Sequence, residues 1–261
     1  MKKIRLLVKL RQVFPEYTEK ELFASILCGE ALVNGAVIRD SKALIPLDAA
    51  LDLRKKKYVS RGGFKLEKVL KLWDLPVREK IIIDAGSSTG GFTDCLLQNG
   101  ASTVYAVDVG YNQLDYSLRT NTAVIVMEKT NIMSVESLDP KPDWAVADLS
   151  FRSLRSAASH ILGLTVDSRL IALMKPQFEL DDPDEDFDGI VRDHRQIMEI
   201  CKKVILEMAQ EGAFVQKVAL SPVTGRKGNQ ELLFDVTGQR VQSFDPEKIL
   251  SNLELDFLNR T

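Results

Sequence analysis

The stretch Asp84-Ala-Gly-Ser-Ser-Thr-Gly-Gly-Phe-Thr93 directly follows the apolar run Ile81-Ile-Ile83. This junction constrains the fold more than any other feature of the chain. A buried strand that ends on an acid, turns on glycine and opens a helix is the repeating unit of an α/β sheet. Gly86, Gly90 and Gly91 let backbone amides approach a ligand closely, at the positive end of a helix dipole. A second landmark, Val107-Asp108, follows the short apolar run Val104-Tyr-Ala106. Asp108 stands 22 residues after Gly86, where nucleotide-binding α/β folds place an acid for ribose hydroxyls. Together the two landmarks predict an adenosine-containing cofactor at the rim of an open α/β sheet.

Two phosphate-binding readings fail on the residues. The dinucleotide fingerprint needs G-x-G-x-x-G, but Gly86 is followed by Ser87 and Ser88. The phosphate cradle needs Gly-Lys-Ser/Thr, and no lysine follows the glycines here. The pattern D-x-G-x-x-x-G-G-F resembles instead the first motif of S-adenosylmethionine-dependent methyltransferases. That resemblance implies S-adenosyl-L-methionine as cofactor.

Strands are predicted at roughly 80–85, 103–108, 123–127, 143–148 and 169–174, with a late pair at 213–220 and 230–237. Helices are predicted at about 64–73, 91–99, 112–119, 153–162 and 194–211. Such alternation argues for a parallel sheet covered on both faces. The late pair, joined by a glycine-containing loop, reads as a terminal antiparallel hairpin. The fold class is therefore α/β, a seven-stranded Rossmann-like sheet of the methyltransferase kind. Residues 244–261 read as a short helical or frayed end.

The first 63 residues hold 13 Lys/Arg against 7 Asp/Glu, whereas the remainder holds 22 against 30. A basic appendage on an acidic body is implied, and the boundary is placed between residues 58 and 59. Helical spacing over 3–13 sets Ile4, Leu7 and Val8 on one side. Thr18 and Glu21 form a capping box for a second helix carrying Leu22, Phe23, Ile26 and Leu27. Extended pieces follow at 31–35, 36–38 and 50–53, with an Asn-Gly turn between the first two. Two helices and a hairpin ending in Val-Asn-Gly resemble the ribosomal-protein-S-four-type RNA-binding domain, which makes 1–58 a small α+β module. Before and along its second helix stand Glu16, Glu19 and Glu21 with only Lys20, and Arg54-Lys-Lys-Lys57 partly compensates at the junction.

The chain has 261 residues, 45% hydrophobic and 28% charged, with a net charge of −2. It reads as an ordinary globular protein and not as a wholesale basic nucleic-acid binder. No apolar run approaches the ~20 residues that span a bilayer, and Lys9 and Arg11 interrupt any secretory core. Cys28, Cys95 and Cys201 are scattered and odd in number, so they read as buried thiols of a cytoplasmic protein. His160 and His194 stand alone, leaving neither a metal cluster nor a Ser-His-Asp triad in view.

Four further segments carry a likeness that runs over nearly the whole chain. Val59-Ser-Arg-Gly-Gly-Phe-Lys65-Leu, Ala147-Asp148-Leu-Ser-Phe151, Met174-Lys175-Pro-Gln-Phe-Glu179 and Lys227-Gly-Asn-Gln-Glu231 resemble the TlyA family. Its members are called haemolysins in older naming and ribosomal RNA 2'-O-methyltransferases by activity. The family belongs with the FtsJ-like methyltransferases, which use a Lys-Asp-Lys-Glu tetrad. The resemblance implies Lys65, Asp148, Lys175 and Glu231 as that catalytic set, acting on ribosomal RNA or ribosomal subunits. It further implies cofactor contacts at Asp84, Gly86, Ser87, Gly90, Gly91, Phe92 and Asp148, with Asp108 on the ribose. Thr130-Asn131 is the candidate for the adenine edge, with Glu128 as its rival. Phosphate contacts are expected from Arg54, Lys55, Lys56, Lys57 and Arg61.

Elementary chemistry points the same way. Asp84, Asp108, Asp148 and Lys175 each end a predicted strand, and open α/β sheets bind ligands beyond those carboxyl ends. A ribose hydroxyl is a poor nucleophile, so its attack on a sulfonium methyl needs a base and tight positioning. Lysine serves as base only when burial or a neighbouring cation lowers its pKa from ~10.4. Two alternatives stand beside this reading: a non-catalytic RNA-binding or ribosome-assembly factor retaining the fold, and a haemolysin. The acidic run from Glu179 to Asp188, seven acids in ten residues, repels phosphate if it faces an RNA cleft. It is expected either to lie in solvent or to alter substrate choice.

Overall fold

The computed structural model describes residues 3–27, 29–54, 57–150, 153–181, 187–225, 227–240 and 244–258. Cys28, Lys55, Lys56, Phe151 and the acids at 182–186 lie outside the described residues.

The N-terminal part builds a core of its own. It runs β1 (Lys3–Arg5), α1 (Leu6–Val13), α2 (Glu19–Leu27), β2 (Ala31–Val33), β3 (Ala36–Val37), β4 (Leu44–Pro46) and β5 (Leu51–Leu53). Leu6, Leu10, Leu22 and Ile26 are fully buried and pack around Ala31, Val33 and Ile45. The helix predicted over 3–13 is corrected at its start. Lys3–Arg5 pair antiparallel with Leu44–Pro46, and the helix begins at Leu6. Its buried pair is Leu6 and Leu10, one turn apart, while Val8 is 45% exposed. A distant strand decides the structure of Lys3–Arg5, and local spacing carries no sign of it. The capping box forms reciprocally: Thr18 N and Oγ1 donate to Glu21 Oε2 at 2.7 and 2.8 Å, and Glu21 N donates to Thr18 Oγ1 at 3.3 Å. Asn34 and Gly35 both take positive φ, 50° and 82°, the mirror-image turn that joins β2 to β3.

After α3 (Gly62–Leu72) comes one seven-stranded sheet. Its members are β6 (Ile81–Ala85), β7 (Thr103–Val107), β8 (Val124–Met127), β9 (Trp144–Ala147), β10 (Arg169–Met174), β11 (Phe214–Leu220) and β12 (Leu232–Thr237). The spatial order is β11-β12-β10-β9-β6-β7-β8. All neighbours are parallel except β12, which runs antiparallel to both β10 and β11. The order reverses between β6 and β9, the topological switch point where such sheets bind ligands.

Alternation along the strands splits the core into two layers. Ile82, Val104, Trp144, Ile171 and Leu233 face α3 and α4 (Gly91–Gln98). Ile83, Tyr105, Ala145, Leu170 and Phe234 face the other way. That second face is covered by α6 (Ala158–Gly163), α7 (His194–Gln210) and α8 (Pro246–Leu258). The tail is thus a packed helix, with Leu250, Leu253 and Phe257 buried. Each fully buried Leu or Phe side chain contributes about 1.5–3 kcal/mol, which draws this terminal segment onto the sheet. The helix expected over 112–119 shrinks to α5 (Tyr116–Arg119), because Asp115 takes an extended conformation and caps the helix start by accepting from Ser117 N. In place of a continuous helix at 153–162, a 3-10 turn over Leu154–Ser156 precedes α6. The N-terminal part meets the sheet layer edge-on through Phe23 and Tyr116, whose ring centroids lie 6.2 Å apart.

Candidate active site

At the carboxyl ends of β6 and β9 lies a cleft of about 230 Å³, walled by the glycine loop, the start of α3 and the β11–β12 connection. The loop owes its course to positive φ at Gly86 (82°), Ser88 (48°) and Gly90 (93°). Gly86 N and Ser87 N both donate to Val107 O, at 2.8 and 3.1 Å, which draws the loop over the end of β7. A Cβ on Gly86 would stand 2.6 Å from Asp148 O, so only glycine lets these two strand ends approach so closely. Gly91 has the same role against α3: a Cβ there would lie 2.2 Å from Ser60 Oγ and 3.0 Å from Gly63 N.

Asp84 is fully buried beneath this loop. Thr93 N and Oγ1 donate to its Oδ2 at 2.8 and 2.6 Å, satisfying a free N–H in the first turn of α4. Its other oxygen, Oδ1, has no hydrogen-bond partner. Burial pushes the Asp84 carboxyl up to about 7, the Thr93 bonds oppose the rise, and the Asp148 and Asp108 carboxylates add to it. Asp108 beside it is anchored by backbone amides: Ser88 N donates to Oδ2 at 2.8 Å and Gly110 N to Oδ1 at 2.7 Å. Each carboxylate oxygen keeps acceptor capacity for a further donor.

Two lysine–carboxylate pairs complete the cleft. Lys65, from the first turn of α3, donates to Glu231 Oε2 at 2.5 Å, and both side chains are buried. Glu231 stands where β12 begins, and a Cβ on Gly225 would lie 2.7 Å from its Oε1. Gly225 and Asn229 close the intervening turn (N to O, 2.8 Å). Lys175, at the end of β10, lies 2.6 Å from Asp148 Oδ1, a charge contact off the line of a hydrogen bond. Its amine also donates to Leu149 O at 2.9 Å and Ser150 Oγ at 3.0 Å. The amine thus has two hydrogen-bond acceptors, with a carboxylate beside them.

The expected site residues fall into three groups. Arg61, Lys65, Asp84, Gly86, Ser87, Gly91, Phe92, Asp148 and Glu231 line the cleft. Lys175, Asp108 and Gly90 stand just behind the lining; Gly90 lies against Leu118 and Leu114, where a Cβ would meet both. Asn131 is set apart, its Oδ1 capping the 3-10 turn at Ile132–Ser134 through Met133 N (3.1 Å). Glu128 is engaged by Arg119 at 2.6 Å and by the amide of Gln113. The Arg119 bond leads in holding the Glu128 carboxyl near 2. Of the basic residues, Arg54 pairs with Asp52 (3.1 Å) and Lys57 with Glu67 (2.5 Å), all at the junction. Within the acidic run, Glu179 and Asp181 pair with Arg155, and Asp188 with Arg192.

Sequence reasoning missed Ser60, Gly62, Ser88, Thr89 and Gly225 as cleft residues. It also missed Thr93 as the partner of Asp84. The usable signals were small residues adjoining the recognised motifs, a glycine next to a charged residue above all.

The sequence model of the FtsJ-like methyltransferase family matches residues 58–235. A Bacillus subtilis protein provisionally named the rRNA methyltransferase YqxC is 45% identical over 206 residues, covering 76% of this chain and 73% of that one. The 16S/23S rRNA (cytidine-2'-O)-methyltransferase TlyA of Mycobacterium tuberculosis is 39% identical over 181 residues, 68% of this chain and 67% of that one. Among solved structures, a Streptococcus thermophilus protein provisionally named a hemolysin superposes with TM-score 0.70 at 33% identity. That match covers 100% of this chain and 98% of that one. Among the described residues, no helix is long and apolar enough to cross a membrane.

Proposed function

The chain belongs to the FtsJ-like methyltransferase family and uses S-adenosylmethionine; we propose that it methylates a ribose 2'-hydroxyl of ribosomal RNA. The observation that carries this reading is the doubled ion pair, Lys65–Glu231 and Lys175–Asp148, set beside a glycine loop at the switch point of the sheet. The acceptor class comes from the mycobacterial relative, whose name specifies ribose methylation of cytidine in ribosomal RNA.

The residues present fit the cofactor. Gly86 lets the end of β9 pack against the loop beside the cleft, and the buried Asp84 holds a carboxylate oxygen without a partner. Asp108 retains acceptor capacity suited to ribose hydroxyls. Gly90, Gly91, Phe92 and Ser87 shape the loop around these acids, and Asn131 stands farther along the same rim. When bound, S-adenosylmethionine supplies an electrophilic methyl group on a sulfonium.

In its amine form Lys175 offers a lone pair beside Asp148. A 2'-hydroxyl replacing Ser150 at that amine would be held there for in-line attack. Its proton would pass to Nζ of Lys175 as the hydroxyl oxygen takes the methyl group that bound S-adenosylmethionine would supply. The Asp148 carboxylate then stabilises the new ammonium. Lys65, fixed by Glu231 in the wall of the cleft, orients the ribose. Holding both reactants in one geometry supplies much of the rate. Residues 1–58 deliver the RNA, with Arg61 at the rim and Arg54 to Lys57 along the junction contacting phosphates. The pair of Arg54 with Asp52 is solvent-exposed and costs little to exchange for a phosphate.

The test is transfer of labelled methyl from S-adenosylmethionine to purified ribosomal subunits and to naked ribosomal RNA, followed by alkaline digestion. Label recovered in alkali-resistant dinucleotides is the expected result. Label confined to alkali-sensitive mononucleotides would reject ribose as the acceptor.

A further inference from the structure

Glu179 is a buried carboxylate, 3% exposed, at the far end of the short turn that follows Lys175. Its environment is built from the neighbouring strand's exit. Leu154 N donates to Oε1 at 2.7 Å, Ser153 Oγ donates to Oε2 at 2.5 Å, and Arg155 Nε donates to Oε2 at 3.1 Å. Arg155 in turn reaches Glu207 on α7 at 2.5 Å and Asp181 at 2.7 Å. Burial raises the Glu179 carboxyl, and the bonds from Ser153, Leu154 and Arg155 oppose that rise. Burying a carboxylate is costly unless such partners satisfy it.

The placement of this cluster matters because of what lies at the other end of both segments. Asp148 stands five positions before Ser153 in the chain, with residues 151 and 152 outside the described residues, and Lys175 begins the turn that ends at Glu179. The two segments are therefore fastened twice, by Lys175–Asp148 beside the cleft and by the Glu179 cluster behind it. Lys65 and Glu231 lie on other elements and share none of these bonds.

We propose that Glu179 is a positioning residue for methyl transfer: by tying the exits of β9 and β10 together through Ser153, Leu154 and Arg155, it fixes Lys175 against Asp148. This rests on the reading of Lys175 as the proton acceptor. The cluster works as a latch, and releasing it loosens one lysine of the tetrad and leaves the other in place. A misplacement of about 1 Å at a reacting group, caused by a change far from the chemistry, can slow a reaction by about 100-fold.

The experiment uses the full chain without cofactor. Lysine amines of wild type, Glu179→Ala and Arg155→Lys are acetylated competitively with acetic anhydride, and each site is quantified by mass spectrometry. Lys175 is expected to label at least about threefold faster in both variants, with Lys65 within about twofold of wild type, since its partner Glu231 takes no part in the Glu179 cluster. In parallel, single-turnover methylation should slow by about 10–100-fold, with the KM for S-adenosylmethionine unchanged. Equal responses of Lys175 and Lys65, or no response from either, would overturn the latch. The Arg155→Lys variant keeps the charge and serves where Glu179→Ala fails to fold. Selective labelling of Lys175 in a protein whose wild type does not methylate RNA would uphold the latch and reject the RNA reading.

Discussion

Lys65 and Glu231, 166 positions apart in sequence, meet at 2.5 Å across the wall of the cleft. The pair joins the first turn of α3 to the start of the last strand, so the site closes only when the whole sheet is assembled. Both side chains are buried, and an unpaired charge left there is costly. Glu231→Ala should therefore destabilise the fold by about 3–5 kcal/mol, whereas Glu231→Gln, which keeps an acceptor, should lose less. Denaturant unfolding of the two variants measures the difference, and equal losses would contradict the pairing.

Asp84 gives a pH signature. Its carboxyl titrates near 7 in the fold, against 3.8 in an unperturbed chain. Between those values the folded protein holds a proton that the unfolded chain has lost. Stability should therefore fall as pH rises from about 4 to 7 and level off above, a change on the order of 4 kcal/mol. Asp84→Asn should flatten the slope. Urea midpoints at pH 5 and pH 8 for both proteins test this; an unchanged slope in the variant would reject it.

The glycine at the switch point is set by geometry. Gly86→Ala adds a Cβ 2.6 Å from Asp148 O at a φ of 82°. The strain should cost about 1–3 kcal/mol and push apart the two strand ends that frame the cleft. Loss of cofactor affinity by calorimetry should accompany a lower melting temperature. Wild-type affinity in the variant would show that the close approach is dispensable.

Much of this architecture was legible locally. Short apolar runs ending in Asp84, Asp108, Asp148 and Lys175 marked strands whose ends share one rim, and their burial on both faces went with parallel pairing under two helical layers. The capping box at Thr18 and the Asn34-Gly35 turn were local too. What escaped depends on distant partners. Lys3–Arg5 is a strand only because Leu44–Pro46 lies beside it. Residues 246–258 form a helix that packs against the sheet through Leu250, Leu253 and Phe257. In the site, the charged and glycine residues stood out in sequence, whereas the Thr93 bond to Asp84 and the separate pairing of each lysine required the fold. The capping bond of Asn131 to Met133 N likewise shows only in the fold.

Asp108 separates cofactor binding from chemistry. Its oxygens are preset by Ser88 N and Gly110 N, so Asp108→Ala should weaken S-adenosylmethionine binding by about 10–100-fold, the loss of charge-assisted hydrogen bonds. The rate at saturating cofactor should change far less. Unaltered affinity by calorimetry would remove Asp108 from the ribose site.

The most direct test of the central claim pairs Lys175→Ala with wild type in single-turnover methylation of ribosomal RNA, with cofactor affinity measured on the same samples. Loss of a positioned proton acceptor should slow transfer by about 10²–10⁴-fold and leave the dissociation constant for S-adenosylmethionine within about twofold, because binding and proton transfer use different groups. Transfer at the wild-type rate, or a loss of affinity as large as the loss of rate, would contradict the assignment of Lys175 as the group that takes the hydroxyl proton.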